Sequence, residues 1–333
     1  MLATADPAPF DHPRLRENIW QVTPGEPFAF VETPGGCFDI PTDQALAFLR
    51  IRPHCTPHNN VATIAERSGV PEADVTAMLA ALDGIGLIAT SDATDRDIRD
   101  RLARIVALWS DELGRDFIAN ALLDEDLPRE ILVGWLLETY HYVRDFPEAI
   151  GEAAARAPDG PLKNLLERYA DEERGHERFV LRTLENLGLS ADEVAQSSPL
   201  VSTRLIGFLM RDLFETEPAS VLLMAALVEA QELDGGLAAG FQAEIEARYA
   251  LPKAALAPYF EHQAIDAQLG HQQLFADNLA LFAVDDPALL DRITDKLHDL
   301  KHGFDLQGLE IRHYYGAQAG RYLPRQPMAF AAT

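Results

Sequence analysis

The chain has 333 residues, 47% apolar and 24% charged, which suits about two domains with ordinary cores and excludes a disordered or fibrous protein. A formal net charge of −25 repels phosphate-covered surfaces, so neither nucleic acid nor an anionic membrane is an expected partner. With only Cys37 and Cys55 for disulfide chemistry, no apolar leader in Met1 to Arg16 and no apolar run near the roughly 20 residues that span a bilayer, the expectation is a cytoplasmic protein.

In chain order, Ile19-Trp20-Gln21-Val22 and Phe28-Ala29-Phe30-Val31 are short β-leaning runs separated by Pro-Gly and Gly-Gly turn signals, which predicts strands and a hairpin before Ile40. Three short helices are predicted next, at Asp43 to Arg50, Val61 to Arg67 and Glu72 to Leu82. In the last, Val75, Met78, Leu79 and Leu82 form one apolar stripe. Gly84 and Gly86 close that helix, and Leu87-Ile88 can return as a strand. Small β elements around a three-helix unit read as a winged-helix-like α+β domain over residues 1–92.

From about Asp95 the texture changes to long amphipathic helices with short breaks expected at Pro128, Pro147, Pro161, Pro199, Pro218, Pro252 and Pro287. Ser190-Ala-Asp-Glu193 and Asp285-Asp-Pro-Ala288 have the cap and early acids of helix starts. Residues 93–318 are therefore predicted to form an all-α bundle, and 319–333, rich in Ala, Gly and Pro, a flexible tail. The fold class is mostly α.

A winged helix that reads DNA needs Lys and Arg. The segment before Thr90 has no Lys, few Arg and about twice as many acids, and its best recognition helix begins with Glu72 and Asp74. His54-Cys55-Thr-Pro-His58, even with Cys37, lacks the paired spacing of a closed zinc site and reads as a turn. The domain, with its end Met78-Leu-Ala-Ala-Leu-Asp-Gly-Ile-Gly-Leu-Ile88, resembles the PqqD-like peptide-recognition fold, in which a leader peptide adds a strand to the sheet edge. An accessory domain that packs on the bundle or on a second subunit is the other reading, and a homodimer is carried as an expectation.

A metal site in a bundle needs carboxylates and imidazoles that share helix faces. In Tyr169-Ala-Asp-Glu-Glu-Arg-Gly-His-Glu-Arg-Phe179, Glu173 and His176 are three apart, about 60° around a helix axis. In Tyr259-Phe-Glu-His-Gln-Ala-Ile-Asp266, His262 and Asp266 are four apart. Between them, Leu222, Ala226 and Glu229 fall on one face, so an apolar stripe carries an acid that a cation would compensate. Glu232 is the alternative to Glu229. Each pattern alone is also common on solvated faces.

Together with Leu-Gly-Leu189 and Ala-Arg-Tyr-Ala-Leu251, these motifs resemble the superfamily of thiaminase-II, PqqC and the heme-oxygenase-like diiron oxidases, over about Leu127 to Asn278. The resemblance implies a heme-oxygenase-like helical bundle that binds non-heme iron rather than heme. It implies Glu173, His176, Glu229, His262 and Asp266 as ligands. One departure stands out, because Leu269 occupies the position of the family's last histidine. The nearest alternative, His271, lies about 140° around from Asp266 in a regular helix and would need a π-bulge to turn inward. The range left open runs from two irons, through one, to a metal-free pocket like that of PqqC.

A second Glu-x-x-His, Glu138 and His141, lies in Trp135-Leu-Leu-Glu-Thr-Tyr-His-Tyr-Val-Arg144. Its order along the chain differs from a ferritin-like bundle, so Glu138, Tyr140 and His141 are candidate catalytic or substrate-contacting residues. His298, His302 and His313 read as solvated residues of the last helix.

The resemblance thus implies an O2-dependent non-heme iron oxidase or oxygenase, acting on a small amino-acid-derived or peptide-borne substrate of the kind made in biosynthesis. Arg144, Arg174 or Arg248 would clamp a substrate carboxylate. The rival readings are a metal-free oxidase, with His and Tyr as acid and base, and a non-catalytic peptide-binding scaffold.

Overall fold

A computed structural model describes residues 13–16, 19–33, 36–56, 58–88, 98–116, 118–229, 235–318 and 324–327. The chain divides into two compact units, Met1–Leu108 and Trp109–Thr333. The division falls within the helix Ile98–Asp116, later than the change of texture near residue 93.

The first unit is small and α+β. Strands β1 (Gln21–Thr23), β2 (Phe28–Thr33) and β3 (Gly36–Pro41) form an antiparallel sheet in the order β1-β2-β3, with Val31 facing both Val22 and Phe38 in register. Alternation sorts the faces of β2. Ala29, Val31 and Thr33 are buried, while Phe28 and Phe30 point outward and are exposed. Helices α1 (Thr42–Ile51), α2 (Val61–Ser68) and α3 (Glu72–Gly84) follow, with Ile51, Ile64, Val75 and Leu79 fully enclosed. Asn60 caps α2 by accepting from the Thr63 N–H at 2.9 Å, and Gly69 ends it in the left-handed conformation. Leu87-Ile88 returns only as a bridge, Ile88 pairing with Leu15. The His54-Cys55 region is a 3-10 turn in which the buried Cys55 thiol donates to the Ile51 carbonyl, and Cys37 is exposed.

After α4 (Ile98–Asp116), the second unit is helical throughout its described elements. They are α5 (Ile118–Asp124), α6 (Arg129–Arg156), α7 (Pro161–Glu173), α8 (Glu177–Asn186), α9 (Ala191–Gln196), α10 (Val201–Thr216), α11 (Ser220–Val228), α12 (Gly235–Arg248), α13 (Ala257–Leu269), α14 (Leu274–Asp277) and α15 (Pro287–Gly316). Helix α6 is the spine, runs through Pro147 without the break expected there, and packs against α7, α8, α10 and α15. Its residues from Ile131 to His141 are buried on every side, which is how a central helix reads. At Gly134 a Cβ atom would run into the Tyr315 ring, so only glycine allows α15 to come this close. Ser190 and Glu193 form a reciprocal capping box at α9, and Asp286 with Pro287 starts α15, as their sequence signals suggest.

Residues 324–327, within the stretch expected to be a flexible tail, are tied down. The Ser198 N–H donates to the Arg325 carbonyl at 2.6 Å, and the Arg325 guanidinium donates to the Pro199 carbonyl. No helix among the described residues is long and apolar enough to cross a membrane.

Candidate metal centre

The side chains of Glu173, His176, Glu229, His262, Asp266 and His271 meet inside the second unit. They form two groups whose donor atoms lie within 4.8 Å of one another, Glu173 with His176 and His262, and Glu173 with Glu229 and His271. Glu173 belongs to both groups. Asp266 reaches both as well. Its Oδ1 is 3.2 Å from His176 Nδ1 and 3.9 Å from His271 Nδ1, and its Oδ2 is 3.1 Å from His262 Nε2.

Two breaks in the backbone aim these groups. Glu173 is the last residue of α7, and Arg174 is extended. Gly175 then takes φ +92°, a left-handed value that a side chain would strain, and His176 caps α8. The pair is therefore not on one continuous helix, as its spacing suggested, yet His176 Nδ1 lies 3.2 Å from Glu173 Oε2. The second break corrects the expectation for His271. Helix α13 stops at Leu269, Gly270 takes φ +73°, and a 3-10 turn begins at His271. A left-handed glycine, not a π-bulge, swings His271 inward until it is fully buried, while Leu269 is 43% exposed.

Electrostatics inside the cluster are strained by burial. For Asp266, burial and then the nearby Glu173 and Glu229 charges push the carboxyl up to about 8. Burial also raises Glu229. Burial would raise Glu173 too, but the His176 and His271 rings outweigh it and hold that carboxyl at about 2. His271 is driven by burial toward the neutral form, yet Glu173 and Glu229 together take it up to about 11. His262 drops to about 4 through burial and the adjacent His176.

The donor set fits a metal ion. Glu173 Oε1, Asp266 Oδ1 and His271 Nδ1 are buried without a hydrogen-bond partner, although the first and last are only 2.9 Å apart. These donor atoms thus converge without the angles of a hydrogen bond between them. Carboxylate oxygens with imidazole nitrogens from several helices are what iron takes in a bundle, and a cation relieves the cost of burying the acids.

A cavity of about 700 Å³ opens onto the cluster, with Glu173, Glu229, His262 and Asp266 in its wall. Elsewhere the wall is largely apolar, with Trp135, Phe146, Met210, Met224, Val228 and Phe304. Tyr142 also lines it, and burial with the nearby carboxylates raises that phenol above its ordinary range.

The remaining candidates sit elsewhere. Glu138 is fully buried but accepts from the Leu200 N–H at 2.9 Å and the Tyr315 hydroxyl at 2.7 Å, so it fastens α6 to α10 and α15. His141 is 2.9 Å from the Ser197 hydroxyl, and Tyr140 lies under the Arg144 guanidinium. None of the three lines the cavity, which uses Trp135, Thr139, Tyr142, Val143 and Phe146 of the same helix. Arg144 and Arg174 are exposed, the latter paired with Asp171, and Arg248 donates to the Leu123 and Glu125 carbonyls. The described cation in the cavity wall is instead Arg312, whose two terminal nitrogens lie 2.7 and 2.9 Å from the Glu125 carboxylate. Glu232 lies outside the described residues. His302 and His313 are exposed, as expected, but His298 is half-buried against Trp109. Sequence reasoning missed Tyr169, which donates to Glu229, and Glu172, 3.3 Å from His271 Nε2. Their positions four and one residues before Glu173 were the available signal.

Comparison with known proteins agrees with this architecture. A domain of unknown function with a heme oxygenase-like fold from Shewanella denitrificans OS217 superposes with a TM-score of 0.55 at 19% identity, covering 70% of this chain and 100% of that one. A TenA homolog from Pseudomonas syringae pv. tomato str. DC3000 gives a TM-score of 0.47 at 14% identity, covering 63% and 91%. No curated protein matches the chain. The sequence profile of a family described as iron-containing redox enzymes matches residues 133–299, which include every residue of the cluster and half of the chain. The chain belongs to that family of iron-containing redox enzymes, and its helical unit has a heme oxygenase-like fold.

Proposed function

We propose that this protein is an O2-dependent oxidase or oxygenase that holds two non-heme irons in the cluster. The observation that carries the reading is the position of Glu173 in both donor groups, with Asp266 reaching the same two places. One ion would be held by Glu173, His176 and His262, and the other by Glu173, Glu229 and His271, with Asp266 serving either. When bound, reduced iron supplies electrons for oxygen activation. The chain's own residues hold the ions, exclude bulk water and position the substrate. Phe146, Met224, Val228 and Tyr142 line the same cavity as the cluster residues.

An amino-acid-derived or peptide-borne substrate remains our reading, with an apolar body that suits these walls. Its carboxylate, where present, would not be held by Arg144, Arg174 or Arg248, and Arg312 would have to leave Glu125 to take that part.

Metal analysis of protein from iron-supplemented cells, combined with O2 uptake in the presence of a reductant, tests the proposal. Two irons per chain and iron-dependent uptake are expected. O2 uptake without iron would favour a metal-free oxidase, and peptide binding without uptake a scaffold.

A further inference from the structure

Helix α7 carries Tyr169, Glu172 and Glu173 within two turns, and each engages the cluster. Glu173 is a donor in both groups. The other two enter neither group, but each holds a member of the second. His271 Nε2 lies 3.3 Å from Glu172 Oε2, while its Nδ1 lies 2.9 Å from Glu173 Oε1 and 3.3 Å from Glu229 Oε2. An imidazole that donates through one nitrogen presents a lone pair at the other, so a carboxylate on the far side fixes both tautomer and ring plane. Glu229 is treated likewise. Its Oε1 accepts from the Tyr169 hydroxyl, and its Oε2 is left facing His271 Nδ1. The Tyr169 ring meets the His271 ring edge-on, with centroids 4.7 Å apart.

This support answers a need peculiar to the second group. His262 lies on α13 and His176 begins α8, and their rings also steady each other, His262 Nε2 being 3.0 Å from His176 Nδ1. His271 has only a single 3-10 turn beneath it, entered through the left-handed Gly270. Glu229 is at the last turn of α11, where backbone constraint also ends. Both donors come from element ends, and both are gripped from α7, the helix that already supplies Glu173.

We propose that Glu172 and Tyr169 are positioning residues for the second metal ion, Glu172 orienting His271 with Nδ1 toward the ion and Tyr169 holding Glu229 so that one oxygen stays free for it. The proposal rests on the two-ion reading above. It concerns metal affinity rather than turnover, so its test need not await a substrate.

The test is anaerobic titration of the metal-free full-length chain with Co(II), read by visible absorption, for the parent and for Glu172→Leu, Glu172→Gln and Tyr169→Phe. The parent should bind two ions. Glu172→Leu and Tyr169→Phe should each weaken the second ion by about 10- to 100-fold, as loss of a partner behind a ligand generally does, and leave the first unchanged. Glu172→Gln, whose amide oxygen can still accept, should recover most of the loss. Melting temperatures of the metal-free forms serve as the control for folding. Second-ion affinity within twofold of the parent in both Glu172→Leu and Tyr169→Phe overturns the proposal, as does equal weakening of both ions, which would mean general loosening. A parent that binds fewer than two ions overturns the two-ion reading itself, and the positioning role with it, and is told apart by the parent's own stoichiometry.

Discussion

Glu173 Oε1 and His271 Nδ1 lie 2.9 Å apart, buried and facing, yet neither is hydrogen-bonded. Two potential ligands from distant parts of the chain are held this close without hydrogen-bond angles between them. The ion proposed above, shared by both, would account for that arrangement and would make His271 one of its ligands.

Replacing His271 should therefore separate the two ions. In His271→Ala, iron stoichiometry under anaerobic titration should fall from two to one, with the remaining ion as tight as in the parent. His176→Ala should do the reverse, weakening the site that contains His262 by roughly tenfold or more. Loss of both ions in both variants, measured by metal analysis after desalting, would count against two distinguishable sites.

Gly270→Ala tests the turn that delivers His271. A Cβ at this position would meet nothing within 4 Å, so space is not the obstacle. The φ of +73° is, and an L-residue held there costs about 1–2 kcal/mol. A loss of unfolding free energy of that size is expected, together with weaker second-ion binding if the turn relaxes. Unchanged stability by denaturant titration would show that the left-handed turn is not maintained.

Metal binding should release protons. In the metal-free cluster, Asp266 titrates at about 8 and His271 at about 11, so both bind protons at neutral pH, whereas an ion requires them deprotonated. Acid competes with metal, and affinity should rise as pH rises from 6 toward 8 through the Asp266 titration. Calorimetry in buffers of different ionisation enthalpy reads the number of protons released. A count of zero at neutral pH would contradict this distribution of charge.

His141 should make the fold sensitive to acid. Burial, with the Arg144 and Arg204 charges, lowers its folded pKa to about 4 from an ordinary 6.5. The unfolded chain then binds the extra proton first. Stability from this residue is complete above about 6.5, falls with decreasing pH, and levels off below about 4. The loss is up to about 3 kcal/mol, at about 1.4 kcal/mol per unit. His141→Gln, which keeps a partner for Ser197 but does not titrate, should flatten the denaturation free energy across that window. An identical slope in parent and variant would refute the assignment.

Much of this was legible in the sequence where chemistry and local pattern coincide. The acid on the apolar stripe of α11, the His262/Asp266 pair and the Glu173/His176 pair all reach the cluster. Helical geometry misled where a glycine ends the helix. Gly175 and Gly270 were visible as ordinary stop signals, but a 3.6-residue wheel drawn through them puts His271 on the wrong side. Helix α6 was opaque for a different reason. A helix buried all round has no polar face to mark the cavity, so Glu138 and His141 could not be told from Trp135 and Tyr142. Glu172 and Tyr169 went unrecognised because their roles appear only once a distant His271 and Glu229 are beside them.

The close approach of Gly134 to Tyr315 bears on the shape of the cavity. Trp135 and Ile311, flanking that contact on the two helices, are both part of the cavity wall. The glycine lets the Tyr315 ring pack directly on the α6 backbone beside this part of the wall. Met210 and Met224 also line the cavity, and their unbranched side chains can change rotamer at little cost. Under the proposed function, swapping those two methionines for branched residues should thus narrow the range of accepted compounds.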